Sequence, residues 1–289
     1  MSFKVFTDSS ANLPGNIISR YDIEVIPFRY EINGVMHTCE KNTDNFDCHR
    51  YYEMLRNKGT VKTSLINVQE FCDELTPMLK AGQDVLYVGL SSGVSGTVQA
   101  AKVAARLLTE EFPERKIRVF DSMGAGLGVG LTTCKAASLN EAGMCIDEAM
   151  LELEEYRMKL CQYFTVDDIM FLKRGGRVSG VTAAVGTVLN IKPILRGDEE
   201  GHIVSCGKVR GRMRAVEALA EIYQKKVRNA ENQIVAISHG DCMEDAERLA
   251  SIICDIAKPK EILIMPHEPL TGAHVGPGML ALFYEGNSR

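Results

Sequence analysis

Several patterns that mark common classes of protein are missing from this sequence. No run of apolar residues approaches the ~18 consecutive positions that a membrane-spanning helix requires. The N-terminal stretch MSFKVFTDSS lacks the basic start and the long apolar core of a secretory signal. The sequence therefore predicts no membrane span, with transient membrane contact left open, and we expect the protein to stay in the cytoplasm.

The cysteines lack the spacing of a metal site or a disulfide framework. There are nine of them, an odd number, and none forms a CxxC pair. This usage fits reduced, buried thiols. His239 and Cys242 lie three positions apart, but two ligands do not make a zinc site, so we expect that pair to be structural. The sequence thus predicts no metal.

Positive charge is also scarce overall, because the formal net charge is −5. A nucleic-acid-binding protein normally carries a basic excess, so nucleic acid is not expected as a partner. The charge is nevertheless uneven: between Lys173 and Arg214 there are nine basic side chains and three acidic ones. Such a segment is either a solvated face or a docking surface for an acidic partner.

The nucleotide-binding motifs are absent as well. No GxxxxGK[ST] occurs, and the glycines at positions 124, 126, 128 and 130 have no third glycine at the GxGxxG position. Neither a nucleoside triphosphate nor NAD is therefore expected, and we predict no cofactor. Glycine at every second position instead indicates a helix or turn that packs very close to a neighbour.

The most informative stretch is DVLYVGLSSGVSGTVQAA, residues 84–101. Residues 85–90 read as a buried strand, residues 91–97 as a loop of serine, glycine and threonine (the serine loop), and residues 98–108 as a helix. Free backbone N–H groups and the positive end of the helix form an anion site in this arrangement. Neutral donors suit a small monoanion such as a carboxylate. An equally simple interpretation is that Ser95 or Thr97 caps the helix.

A third interpretation of the same stretch is a serine hydrolase. Residues 89–93, GLSSG, match the GxSxG nucleophile elbow. In that elbow the helix follows the serine almost at once, whereas here four residues intervene. A hydrolase of this kind would use Ser91 as nucleophile, His274 as base and Asp241 as acid.

The order of predicted elements divides the chain in two. Strands alternate with helices up to about Cys161, which predicts an α/β domain with a parallel, Rossmann-like sheet over residues 1–161. Residues 24–32 read as one strand, and Asn33-Gly34 predicts a hairpin. Residues 162–289 predict an α+β domain with a smaller mixed or antiparallel sheet, including short helices over residues 167–172 and 182–190.

Three further groups of polar residues are candidates for the site. Thr63 and Ser64 precede a predicted helix over residues 68–79, so they either cap it or supply more hydroxyl donors. His274 lies in a glycine-rich segment, residues 271–278, and we expect it to face a ligand or another domain. Residues 8–10 end the first strand, and we favour a capping role for them at a helix that starts near Pro14.

With these residues in view, the sequence resembles the DegV family of fatty-acid-binding proteins. Eight motifs that run the length of the chain, in the right order, carry the resemblance: residues 7–10 (TDSS), 62–64 (KTS), 91–97 (SSGVSGT), 121–122 (DS), 172–179 (LKRGGRVS), 189–195 (LNIKPIL), 208–210 (KVR) and 272–278 (GAHVGPG).

The resemblance implies two α/β domains with one long-chain fatty acid bound between them. It implies a non-catalytic carrier that presents the carboxylate to a fatty-acid kinase, which makes an acyl-phosphate for phospholipid synthesis. It places Arg174, Arg177 and Arg210 on a positive surface near the head group. The carboxylate ligands that it implies are Thr63, Ser64, Ser92, Ser95, Gly96, Thr97 and His274.

Two departures from the family pattern stand out. After Thr63-Ser64 the family usually continues Gln-Pro, whereas this chain has Leu65-Ile66. Residues 39–43 also lack the acidic stretch that usually follows the hairpin. Neither departure removes a proposed head-group donor.

Overall fold

The computed structural model describes residues 2–178 and 190–289. Except for Asn190, the predicted helix over residues 182–190 lies outside the described residues. Contacts divide the chain into two compact units. The first unit is Met1–Asn45 with Lys62–Arg157, and the second is Phe46–Val61 with Met158–Arg289. The two-domain boundary near Cys161 stays a prediction.

The described elements follow one another in mixed α/β order. The strands are β1 (Phe3–Asp8), β2 (Glu24–Ile26), β3 (Arg29–Ile32), β4 (Val35–Thr38), β5 (Val61–Thr63), β6 (Asp84–Gly89), β7 (Ile117–Asp121), β8 (Leu160–Thr165), β9 (Ile191–Gly197), β10 (Ile203–Arg210), β11 (Ile234–His239), β12 (Glu261–Pro266) and β13 (Leu280–Glu285). The helices are α1 (Gly15–Arg20), α2 (Cys48–Arg56), α3 (Val68–Lys80), α4 (Thr97–Glu111), α5 (Leu127–Glu141), α6 (Ile146–Lys159), α7 (Met170–Gly175), α8 (Arg212–Lys226), α9 (Met243–Ile256) and α10 (Pro269–Val275). No helix in the described ranges is both long and apolar enough to cross a membrane.

A parallel four-stranded sheet with the order β2-β1-β6-β7 forms the centre of the first unit. Strand β6 is buried along its whole length. A strand covered on both faces needs a continuous apolar run, and residues 85–88 supply one. The predicted strand, loop and helix of residues 84–101 are therefore confirmed in type and order, and the loop lies at the carboxyl end of a central strand.

A small three-stranded sheet, with the order β4-β3-β5, accompanies the parallel one, and β3 and β4 are antiparallel. The Asn33-Gly34 hairpin is confirmed, and both residues take the left-handed conformation of a tight turn, with φ of 49° and 88°. The single strand predicted over residues 24–32 is wrong, because the run divides into β2 and β3. Pro27 lies between them and has no backbone N–H to donate to a ladder.

The glycines at positions 124–130 permit a close helix contact, as predicted. Gly130 lies in α5, and a Cβ atom there would lie 2.5 Å from the carbonyl oxygen of Ala11. Helix α5 therefore packs on the turn after β1 at a distance that a larger residue would not allow.

The second unit is built on a mixed sheet with the order β10-β9-β8-β13-β11-β12. Strands β11 and β12 are parallel and the other neighbours antiparallel. The predicted fold class is confirmed. The sheet of the second unit was expected to be the smaller one, but it has six strands and the parallel sheet of the first unit has four. The helix predicted over residues 167–172 begins later, at Met170, whose N–H donates to the Asp168 carboxylate across 2.8 Å.

Helix α2 belongs to the second unit although it precedes most of the first unit in sequence. The hydroxyl of Tyr51 donates to the carbonyl of Pro269 (2.6 Å), and that of Tyr52 donates to the carbonyl of His267 (3.0 Å). Two buried tyrosines thus hold the start of α10 from a distant part of the sequence.

Candidate functional site

The serine loop folds back on the end of β6 through hydrogen bonds of its own. The N–H groups of Val94 and Ser95 donate to the carbonyl of Ser91 (3.1 Å each). Ser95 Oγ lies 2.9 Å from Thr97 Oγ1. Ser92 and Gly96 are exposed, Ser95 is half-buried and Thr97 is fully buried. The loop therefore offers hydroxyl and N–H groups at the surface of the first unit while its base is fixed.

Neither Ser95 nor Thr97 is the N-cap residue of α4, so that position was wrong, although the Ser95 hydroxyl does bond one amide of the first turn. The N-cap is Gly96, and it makes no side-chain capping hydrogen bond. Gly96 itself therefore satisfies none of the first-turn amides of α4, and amides left free at a helix N-terminus can bind an anion. The hydroxyl of Ser95 instead accepts a hydrogen bond from the N–H of Thr97 (3.3 Å).

A buried carboxyl group anchors the start of the serine loop. Asp8 is fully buried and accepts hydrogen bonds from the N–H and hydroxyl of Ser10, the hydroxyl of Tyr87 and the N–H of Leu90. Burial raises the pKa of Asp8, while the bonds from Ser10 and Tyr87 act in the opposite direction. Asp8 caps the 3-10 turn at Ser9–Ala11, and not a helix near Pro14 as expected. The sequence signal for its role as an anchor of the serine loop was a charged residue at the end of a buried strand.

Thr63 and Ser64 come shortly before α3 in the chain but do not cap it. The cap of α3 is Asn67, which forms a capping box with Glu70. Ser64 Oγ donates to the carbonyl of Arg29 (3.0 Å). The following residue, Leu65, packs on the loop: its Cδ2 lies 3.4 Å from the position of a Cβ on Gly96. An apolar side chain thus lies beside the hydroxyl donors.

The geometry around Ser91 differs from a nucleophile elbow. An elbow serine occupies a strained turn that leads directly into a helix. Here Ser91 does not have a positive φ, only 1% of its surface is exposed, and α4 begins six positions later at Thr97. The hydroxyl of Ser91 accepts a hydrogen bond from the N–H of Gly93 (3.1 Å), and this bond stabilises the turn of the loop.

His274 lies on α10 rather than in a glycine-rich loop. The ring packs against α7, and a Cβ on Gly175 would lie 2.6 Å from Nδ1 of His274. Burial lowers the pKa of His274 to about 4, and the positive charge of Arg177 acts in the same direction. The imidazole is therefore neutral at pH 7 and can donate one hydrogen bond without carrying charge.

A chain of buried hydrogen bonds positions α10. Ser238 Oγ lies 3.0 Å from Nδ1 of His267, and Nε2 of His267 lies 2.7 Å from Thr271 Oγ1. The Thr271 hydroxyl donates to Glu268, which also caps α10 by accepting from the N–H groups of Leu270 and Thr271. Sequence reasoning missed this group. An acidic residue followed by proline, Glu268-Pro269, was the available helix-start signal.

The three arginines of the predicted basic surface all belong to the second unit. Arg174 is exposed and its guanidinium lies 4.6 Å from the centre of the Phe171 ring. Arg177 is half-buried, and its side chain donates to the carbonyl of Gly175. Arg210 ends β10 and is exposed. Arg177 is the one that influences His274 electrostatically.

His239, which the sequence analysis paired with Cys242, ends β11 and is buried. Its Nδ1 accepts the N–H of Cys242 (3.3 Å), and its Nε2 has no hydrogen-bond partner among the described residues. Burial lowers its pKa. Within the described ranges no three His, Cys, Asp or Glu side chains are placed to hold a metal ion.

These features define a mixed α/β protein in which a loop of neutral donors, with Gly96 as the helix N-cap, follows a central strand of the parallel sheet. The chain belongs to the DegV family: the family model, described as "Uncharacterised protein, DegV family", matches residues 2–287. A DegV domain-containing protein of Clostridium perfringens is 35% identical over 291 residues, covering 99% of this chain and 98% of the relative.

Two solved structures show the same fold. A DegV family protein from Thermus thermophilus, described for its fatty acid binding, has a TM-score of 0.88 at 27% identity and covers 99% of this chain and 100% of its own. DegV from Bacillus subtilis, described as a fatty acid binding protein, has a TM-score of 0.84 at 28% identity, with 98% of both chains covered.

Proposed function

We propose that this protein is a non-catalytic carrier that binds one long-chain fatty acid. The observation that carries the proposal is the serine loop at the start of α4, whose N-cap Gly96 has no side chain to bond the helix amides, in a chain whose relatives from Thermus thermophilus and Bacillus subtilis are described as binding fatty acids. A carboxylate carries the single negative charge that neutral N–H and O–H donors accommodate. The proposed carboxylate ligands are Thr63, Ser64, Ser92, Ser95, Gly96, Thr97 and His274.

The energetics favour a carrier of this kind. Burying an acyl chain contributes about 0.8 kcal/mol per methylene. Desolvating the carboxylate without partners would cancel a large share of that gain. Hydroxyl and N–H donors restore it, and the neutral imidazole of His274 supplies one more donor without introducing a second buried charge.

The proposal is tested by the ligand that the protein retains. Native mass spectrometry of the purified protein should show one added mass in the range of a long-chain fatty acid, and organic extraction should release it. Ser95→Ala should weaken binding of a fluorescent long-chain fatty acid by about 10-fold or more, because a hydrogen bond to a charged group is worth about 1.5–3 kcal/mol. Ser205→Ala, on the exposed face of β10, is the matched control. An empty protein that takes up no added acid would contradict the proposal.

We further propose that the bound carboxylate is presented to a fatty-acid kinase. Arg174, Arg177 and Arg210 form the positive surface suited to an acidic partner or to the phosphates of ATP. With the loaded protein, ATP and a kinase from a related bacterium, hydroxylamine should trap an acyl-phosphate product. The double variant Arg174→Glu/Arg210→Glu should lower product formation while fatty-acid binding is kept. Lys225→Glu/Arg248→Glu, equally exposed, controls for the change in charge.

The serine hydrolase stays the second candidate by sequence pattern alone. It would require ester turnover that Ser91→Ala abolishes and labelling by a serine-reactive phosphonate. The buried hydroxyl of Ser91 and its bond from Gly93 favour the carrier. We therefore propose no catalytic residue.

A further inference from the structure

The edge of the parallel sheet in the first unit is open at β7, the last strand in the order β2-β1-β6-β7. The carbonyl of Lys116 accepts the N–H of Val85 (2.9 Å), so the backbone of Lys116 points toward β6. Because the direction alternates along a strand, the backbone groups of Ile117, Val119 and Asp121 point away from the sheet. These groups are available to another chain unless something covers them.

Side chains cover both ends of this edge but leave its middle open. Nη1 of Arg118 donates to the carbonyl of Ile117 (3.3 Å), and Nη1 of Arg157 donates to the carbonyl of Asp121 (2.9 Å). The N–H and carbonyl of Val119 have no hydrogen-bond partner within residues 2–178 and 190–289. Natural proteins normally cover or charge such an edge. An uncovered position between two covered ones marks a place where a short strand can pair.

A groove of about 430 Å³ follows this edge. Its floor includes Ile117, Arg118 and Val119, and helices α4 and α6 contribute the remaining lining residues: Gln99, Lys102, Ala105 and Arg106 from α4, and Met150 from α6. The two helices therefore flank the open strand, and a chain seated on Val119 would contact both.

The α4 side of the groove carries unpaired positive charge. Lys102 and Arg106 are exposed, and no carboxylate of the described residues lies within 4 Å of either side chain. Arg118 differs, because its guanidinium is paired with Asp147 at 2.7 Å. Lys102 and Arg106 lie four positions apart on one helix, so they project from the same face about one turn apart. They can therefore meet two carboxylates of one bound segment.

We propose that this groove is a docking site for an extended segment of a partner protein in which acidic and apolar side chains alternate. The segment adds a strand to β7 by exchanging hydrogen bonds with the N–H and carbonyl of Val119. Successive side chains of a strand point to opposite sides. Acidic residues two positions apart then meet Lys102 and Arg106, and the apolar residue between them contacts the side of the groove that Met150 lines. The residues of this groove belong to the first unit, whereas Arg174, Arg177 and Arg210 belong to the second.

The test uses a fluorescein-labelled peptide of alternating glutamate and valine, measured by fluorescence polarisation against the full-length protein. A peptide of the same composition, with all glutamates followed by all valines, is the pattern control. The alternating peptide should bind at least 10-fold more tightly than the block peptide. Methylation of its backbone nitrogens should abolish binding, because the strand pairing needs those donors.

The protein variants separate charge from fold. Lys102→Glu/Arg106→Glu changes only exposed side chains and should lower the affinity for the alternating peptide at least 10-fold. Lys225→Glu/Arg248→Glu, an equal change of charge on the second unit, should leave it unaltered. Val119→Pro removes the edge N–H at a position where an edge strand tolerates proline, and it should weaken binding with the thermal midpoint kept.

Three results would overturn the proposal. One is equal binding of the alternating and block peptides, which would show charge attraction alone. Another is an unchanged affinity in Lys102→Glu/Arg106→Glu. The third is a dimer, measured by light scattering after size-exclusion chromatography, that this double variant dissociates and the peptide does not, because the groove would then hold a second copy of the chain.

Discussion

Nε2 of His267 lies 2.7 Å from the hydroxyl oxygen of Thr271, and the direction of this hydrogen bond follows from the neighbours. Thr271 uses its one hydroxyl proton to donate to Glu268. It must therefore accept from His267, which carries its proton on Nε2 and accepts from Ser238 on Nδ1. Four side chains from β11, the loop after β12 and α10 thus form one directed chain, and the helix that carries His274 is fixed by it.

Removing the Thr271 hydroxyl should therefore destabilise the second unit. In Thr271→Val the shape is kept, but His267 and Glu268 each lose a partner in a buried setting. We expect the free energy of unfolding to fall by about 1–3 kcal/mol in urea. Thr271→Ser keeps the hydroxyl and should recover most of the loss. A Thr271→Val protein as stable as the parent would mean that the chain contributes nothing.

His267 should make stability depend on pH. Burial lowers its pKa to about 3 from an ordinary 6.5. Below pH 6.5 the unfolded chain binds a proton at this histidine that the folded chain does not. The contribution of His267 to the free energy of unfolding is therefore complete above pH 6.5 and is lost as the pH falls toward 3. Over this range the free energy of unfolding should fall by about 1.4 kcal/mol per pH unit because of this one group.

The variant His267→Gln should show a shallower fall in stability between pH 6 and pH 4 than the parent, although it is less stable at pH 7.5. Urea unfolding at a series of pH values measures both. His37→Gln, on the exposed β4, changes the same residue types and should leave the stability at pH 7.5 within about 0.5 kcal/mol of the parent. Parallel pH profiles for His267→Gln and the parent would refute the assignment.

Gly175 should control the position of the His274 ring. A methyl group at position 175 would lie 2.6 Å from Nδ1 of His274, so the ring must move in Gly175→Ala. If His274 donates to the bound carboxylate, affinity for a fluorescent long-chain fatty acid should fall about 5-fold or more, with little change in thermal midpoint.

Gly207→Ala is the matched control for that substitution. The added Cβ at position 207 would lie 3.7 Å from Ile194 Cβ, an ordinary contact. We expect its fatty-acid affinity to equal that of the parent. Full affinity in Gly175→Ala as well would remove His274 from the proposed ligand set.

The capping box of α3 gives a prediction on stability alone. The side chain of Asn67 accepts the N–H of Glu70 (3.0 Å), and Glu70 accepts the N–H of Asn67 (2.8 Å). Asn67→Ala should lower the free energy of unfolding by about 1 kcal/mol, whereas Asn67→Asp keeps an acceptor and should cost much less. Thermal unfolding of both variants provides the measurement; equal stability of the alanine and aspartate variants would contradict the role of the cap.

Local sequence patterns predicted the helices and strands, but they did not predict which distant elements each one contacts. The apolar run of β6 and the Asn33-Gly34 turn depend on neighbouring residues, so the sequence identified them correctly. The run over residues 24–32 was misread because its apolar pattern continues across Pro27, whose missing N–H ends one ladder. The N-cap of α4 was misplaced by one position because Ser95 and Thr97, on either side of Gly96, were equally plausible by spacing.

The proposed carboxylate ligands were chosen from sequence patterns and from the family resemblance. The buried residues that hold their segments in place, such as Asp8 and His267, were not found from the sequence. Asp8 accepts hydrogen bonds from four donors, two on Ser10 and two from the distant residues Tyr87 and Leu90, and no local periodicity predicts such long-range contacts. His267 looked unremarkable in sequence because its partners, Ser238 and Thr271, come from two other elements. Long-range hydrogen bonds of this kind have no signature at a fixed spacing.

The sequence by itself determined that the chain is a mixed α/β protein with a strand, a loop of hydroxyl donors and a helix start at its centre, because backbone preferences and apolar periodicity act over a few residues. Only the tertiary structure decided that α2 joins the second unit, that His267 directs α10, and that Val119 lies open at a sheet edge. Each of these depends on which distant segments meet, and that is settled by the packing of whole elements and the pairing of buried polar groups.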